Sequence, residues 1–245
     1  MKILLNTKLI DCPTSWQDIT LSQFKDLMNL KIEDNDEVNY MLFFLSIVLK
    51  IPVFELEKVE IKDLELLYTK FDWVINSKPS EKIPDIVLID GKKYYFNPQI
   101  DKLGFGVFTY LQNKLQDGFW NNSEDILSCL LLPVKSIKRN YSNWKGWRKE
   151  NYPIKIETEE FNFEVAIENS KKIGQVSINE VFAISQFFFL LLNQFIKDSL
   201  SSLAVELSPE KKEELNQLQQ EIELKIWREL NNEDKIHNGV GMMPD

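Results

Sequence analysis

Ser177-Ile-Asn-Glu-Val-Phe-Ala-Ile-Ser-Gln-Phe-Phe-Phe-Leu-Leu-Leu-Asn-Gln-Phe-Ile-Lys-Asp-Ser-Leu200 is the most apolar run in the chain, and its reading decides the fold. It opens with a helix-start pattern: Ser177 is placed to cap the first turn while Glu180, three residues on, reaches back to the cap. Val181, Phe182, Ile184, Phe187, Phe188, Leu191, Leu192, Phe195 and Ile196 then cover more than half of the helix circumference. A helix apolar nearly all round is buried in protein or in lipid. A bilayer span wants ~20 apolar residues in a row. Here the unbroken run is only Phe187 to Leu192, so a central core helix is expected.

The 245 residues are enough for a sizeable core, as one large domain or two small ones. With 38 acidic against 29 basic side chains, the net charge of −9 argues against general nucleic-acid binding, which needs clustered Lys and Arg. It equally opposes adsorption to anionic membrane surfaces. Glycine is scarce at 8 residues, which disfavours phosphate-cradling loops and favours helix. Cys12 and Cys129 are far apart and lack metal-ligand spacing, so buried free thiols are expected ahead of a long-range disulfide. Met-Lys-Ile-Leu-Leu-Asn at the N-terminus has no apolar region long enough for a secretory signal. Cytosolic synthesis is the default.

Along the chain, residues 3–19 read as an extended arm with room for one strand, running into a loop anchored by Trp16. Thr20-Leu-Ser-Gln23 is a second capping-box pattern and starts a helix ending near Lys31. Asp34-Asn-Asp-Glu37 starts the next, which runs to Lys50 before Pro52 stops it or opens the short segment Val53–Lys58. The acidic cluster at 33–37 lacks the glycine and terminal glutamate of a calcium loop. A further helix is expected from Ile61 to Asn76, then a proline-punctuated linker to Pro84.

Residues 86–96 carry the clearest strand signal, because Asp90-Gly91 is a favoured two-residue hairpin turn between β-branched and aromatic flanks. Gly104 and Gly106 lack the further residues of a nucleotide loop and read as the start of a helix to Leu115. Ser123-Glu-Asp caps another helix, expected to run through Leu132 and stop at Pro133. Residues 135–152 are locally basic and aromatic, an exposed loop whose Trp144 and Trp147 plug into the core or into a partner. Stacking on bases is the competing reading. The acids that follow (Glu157, Glu159, Glu160, Glu164, Glu168) leave no extended basic groove. Phe161–Glu168 begins a helix feeding into the central one.

Ser208-Pro209-Glu210 is a strong helix start, and the charged helix after it carries the apolar stripe Leu215, Leu218, Ile222, Ile226, Trp227 and Leu230. That stripe suits docking, on this chain or on another protein. The expected organisation is a mainly α, α+β protein: a compact helical domain over 1–205 around the central helix with a hairpin at 86–96, an amphipathic helix at 206–235, and a flexible tail at 236–245. His237, the only histidine, lies in that tail, which removes histidine-dependent triads and histidine-rich metal sites from a folded core. Catalytic, cofactor-binding and metal residues are expected to be none, and no enzyme is expected. The candidate protein-binding residues are Trp144, Trp147, Leu218, Ile222 and Trp227.

Five pieces in order carry a family resemblance: PTSWQDITLSQFKDLMNL (13–30), MLFFLSIVLKIPVFELEKVEIKDLELL (41–67), IDGKKYYF (89–96), EDILSCLLLP (124–133) and INEVFAISQFFFLLLNQF (178–195). Their order resembles tail-assembly or baseplate-hub chaperones of tailed bacteriophages, especially phages of Bacteroides-like hosts, over roughly residues 10–200. The resemblance implies a non-catalytic factor that binds a phage structural protein during virion assembly in the host cytoplasm, with no cofactor and no small-molecule substrate. The alternative is a structural virion component of the neck or tail, a ring or adaptor subunit, for which a homo-oligomer is compatible. The family has no signature active-site residues to carry over.

Overall fold

In the computed structural model the described residues are 2–5, 8–30, 37–80, 82–84, 86–98, 103–139 and 154–204, with Glu213, Gln217, Gln220 and Leu224 beyond them. They form a mainly helical α+β protein that divides into two compact units. Unit 1 is Met1–Ile83 with Ser177–Asp245, and unit 2 is Pro84–Val176. The span 1–205, expected as one domain, contributes to both units.

Unit 1 begins with β1 (Lys2–Leu5) and β2 (Lys8–Asp11), paired antiparallel with Ile3 opposite Ile10. The expected extended arm is thus a two-stranded hairpin. Helix α1 (Leu21–Asn29) starts with the Thr20–Gln23 capping box, both halves formed. Gln23 is also buried, and its amide donates to the carbonyls of Ile47 and Val48 at 2.8 and 3.1 Å, so one side chain caps α1 and closes the end of α2 (Glu37–Leu49). Lys50, at φ 56°, ends α2 in a Schellman turn: its N–H donates to Ile47 and that of Ile51 to Ser46.

Pro52 caps the short α3 (Val53–Leu56), as its fixed φ allows. The helix expected over 61–76 is two, α4 (Ile61–Thr69) and α5 (Asp72–Asn76). The break has a local cause. The Thr69 hydroxyl donates back to the Leu66 carbonyl, and the N–H groups of Lys70 and Phe71 turn to acceptors three residues back, tightening the last turn. Phe71 is thereby buried against Phe44, with ring centroids 6.4 Å apart.

Helix α9 (Ile178–Ala204) is the run quoted at the outset. Its first half is buried in unit 1 (Ile178, Val181, Phe182, Ile184, Phe188), and it packs on α1 and on the short 3-10 turn Trp16–Asp18. It is the central apolar helix of unit 1. The Ser177 hydroxyl accepts the N–H of Asn179 at 3.3 Å, but the reciprocal bond from Glu180 is absent among the described residues. Ile178 instead donates to the Ile19 carbonyl at 2.8 Å, beside an isolated Thr20–Ser177 bridge that seats the start of α9 on the start of α1.

Unit 2 is built on a four-stranded antiparallel sheet in chain order: β3 (Val87–Ile89), β4 (Lys92–Phe96), β5 (Leu131–Arg139) and β6 (Ile154–Thr158). The expected hairpin is β3–β4, with Asp90 and Gly91 both at positive φ (52° and 75°), as the two-residue turn requires. Helices α6 (Phe105–Gln116) and α7 (Ser123–Leu130) lead into β5. The α7 helix ends at Leu130, short of the expected Leu132, and Pro133 sits inside a strand opposite Tyr94. Residues 135–139, expected in a loop, continue that strand. Helix α8 (Phe163–Ile173) is a separate element that stops at Gly174 and does not run into α9.

Candidate protein-binding surfaces

Alternation along the strands assigns each residue of the unit-2 sheet to a face. Val87, Ile89, Tyr94, Phe96 and Leu131 share the inner face and are all buried. Helix α7 packs on β5, α8 packs on β3, and the Tyr94 hydroxyl donates to the Asn169 side chain of α8 at 3.0 Å. The outer face carries Leu88 on β3, Lys93 and Tyr95 on β4, and Leu132 and Val134 on β5. The register shifts between Val134 and Ser136, which brings Ile137 of β5 and Ile156 of β6 to the same side as Val134. Leu88 is 55% exposed and Ile137 40%, and Tyr95, Leu132, Val134 and Ile156 are half-buried.

The electrostatics of this sheet run against the chain average. Its strands hold Lys92, Lys93, Lys135, Lys138, Arg139 and Lys155 against the single acid Glu157, in a chain of net charge −9. Glu157 is engaged: it accepts from Lys138 at 2.9 Å and from the Ser136 hydroxyl at 2.7 Å. Lys92, Lys93 and Lys135 are exposed.

A second apolar surface lies on α9. Leu190 is 61% exposed, and Leu191, Leu192, Phe195 and Ile196 are half-buried, with the Asn193 side-chain oxygen buried and without a hydrogen-bond partner. By length and composition Ile178–Asp198 could cross a membrane, and 44% of that window is buried within the protein. The sequence run alone does not separate the two halves, because both are equally apolar.

All five residues singled out from sequence, Trp144, Trp147, Leu218, Ile222 and Trp227, lie outside the described residues, as does the tail at 236–245. Of the predicted C-terminal helix, Glu213, Gln217, Gln220 and Leu224 are described, all helical and exposed. Sequence reasoning missed the outer sheet face because it depends on β5 and β6, which were not expected as strands.

The described residues contain no group of three or more His, Cys, Asp or Glu able to hold a metal ion. A pocket lined by Ser128, Pro133, Glu160 and Asn169 measures about 20 Å³, room for one water. Cys12 and Cys129 are both buried, and burial pushes the Cys129 thiol up to about 11. Burial also raises the Glu180 carboxyl above its usual range. The Tyr40 hydroxyl is buried without a hydrogen-bond partner, and its pKa is raised by that burial and by nearby Tyr68. No family model, no curated protein and no solved structure matches the chain.

Proposed function

We propose that this chain is a non-catalytic protein-binding factor in the assembly of tailed-bacteriophage particles. The observation that carries the binding part is the outer face of the unit-2 sheet, where Leu88 of β3 and Ile137 of β5 are exposed and Tyr95, Leu132, Val134 and Ile156 are half-buried around them. Exposed apolar patches of this kind mark protein interfaces. Supporting the phage part is the order of sequence pieces from residue 13 to residue 195, which resembles tail-assembly chaperones.

Quantitative mass spectrometry of purified phage particles beside infected-cell lysate tests the assignment. Abundance in lysate with absence from particles is the expected result. A fixed copy number per particle, comparable to ring proteins, overturns the transient role in favour of a neck or tail subunit. Absence from both samples overturns the phage reading altogether.

A further inference from the structure

We propose that the outer face of the unit-2 sheet docks an acidic amphipathic helix of another protein. The proposal rests on the protein-binding reading above and narrows it to one surface and one partner chemistry. An antiparallel sheet covered on one face alternates apolar-in and polar-out. This sheet breaks the alternation: Leu88, Tyr95, Leu132, Val134, Ile137 and Ile156 occupy the outer side, Leu88 and Ile137 exposed and the others half-buried among the described residues, while helices α7 and α8 cover the inner side.

The dimensions suit a helix. Strands lie about 4.8 Å apart, so β3 and β6 are separated by about 14 Å across the sheet. A helix with its side chains is about 10 Å wide. Layering a helix on a sheet is also the ordinary way such a face is buried. An aliphatic surface favours this occupant over nucleic acid, since base stacking needs rings and Tyr95 supplies the only one on this face among the described residues.

Charge then selects the partner. Exposed Lys93 stands on the outer face itself and exposed Lys135 at the register shift, while by the same registers Lys92 and Lys138 fall on the inner side, as does the acid Glu157. A helix with acidic residues flanking its apolar stripe complements that border, and one with basic flanks is repelled.

The test uses the full chain and fluorescence anisotropy with three labelled probes. Two are amphipathic peptides of about 20 residues with the same leucine face, flanked by Glu in one and by Lys in the other. The third is a single-stranded DNA of about 20 nucleotides. The Glu-flanked peptide is expected to bind at least about tenfold more tightly than the Lys-flanked one, with affinity falling as salt rises. Leu88→Asp with Ile137→Asp is expected to weaken it by about tenfold or more. Lys93→Glu with Lys135→Glu is expected to reverse the preference, which a merely unfolded variant would not do. Leu66→Asp, at an exposed position in unit 1, is expected to change nothing.

Equal binding of both peptides, tighter binding of the DNA, or indifference to the Leu88 and Ile137 changes overturns the proposal. Neither peptide comes from a phage, so failure here is distinct from failure of the particle and lysate measurement.

Discussion

The indole N–H of Trp16 donates to both the carbonyl and the hydroxyl oxygen of Ser77, each at 3.1 Å, across 61 residues of chain. Its ring also meets Trp73 edge-on at 5.4 Å and Phe24 at 5.8 Å. One buried side chain thus fixes the loop before α1 to the end of α5. Trp16→Ala is expected to cost about 3–5 kcal/mol, the range for emptying a buried aromatic site. Trp16→Phe is expected to lose less, since the ring contacts persist and only the shared hydrogen bond goes. Urea unfolding followed by far-UV circular dichroism measures both.

Gly91 separates backbone strain from crowding. A Cβ built there meets nothing within 4 Å, yet φ is +75°, a conformation that L side chains rarely adopt. Gly91→Ala is therefore expected to destabilise unit 2 by about 1–2 kcal/mol through backbone conformation alone. A loss well beyond that range in urea unfolding contradicts the open surroundings.

Lys50 offers the opposite change. It holds φ 56° at the end of α2, where glycine is the unstrained choice. Lys50→Gly is expected to raise stability by about 1 kcal/mol, seen as a higher urea midpoint with an unchanged slope. A lower midpoint shows that the lysine side chain contributes more than its backbone strain costs.

The Cys129 thiol is lifted by burial from the ordinary 9.0 to about 11. Between those values the unfolded chain ionises while the folded one does not, so the folded state holds more protons. Stability from this group is full below about 9, falls as pH rises, and is lost above about 11. Cys129→Ala is expected to flatten that alkaline limb. At pH 8 the thiol is expected to resist a disulfide reagent until urea exposes it, and immediate modification contradicts the burial.

Local chemistry was legible wherever a few adjacent residues decide the outcome. Thr20 with Gln23 specifies a helix start, and Asp90-Gly91 specifies a turn, because each pattern satisfies its own backbone. Strand β5 was not legible, because Leu130-Leu-Leu-Pro continues the apolar run of α7 and proline reads as a stop. The structure accommodates Pro133 at little cost. Its carbonyl accepts the Glu159 N–H, and in an antiparallel ladder N–H and carbonyl of one residue face the same neighbour. The missing donor therefore falls just beyond the end of β6, where few ladder bonds remain to lose. The outer sheet face followed β5 into obscurity, since a face exists only once four strands are in register.

The two segments of unit 1 lie on either side of unit 2 in sequence, with an order-of-synthesis consequence. Helix α1 leaves the ribosome with an apolar face that α9 helps to bury, and roughly 120 residues separate Ile83 from Ala204. At ~5–20 residues per second, that interval lasts about 6–24 s. Unit 2 is complete within it and can fold first, while the earlier half of unit 1 waits unpaired. A translational pause after Ser177 lengthens that wait, and slow codons there should lower soluble yield more than the same codons inside unit 2.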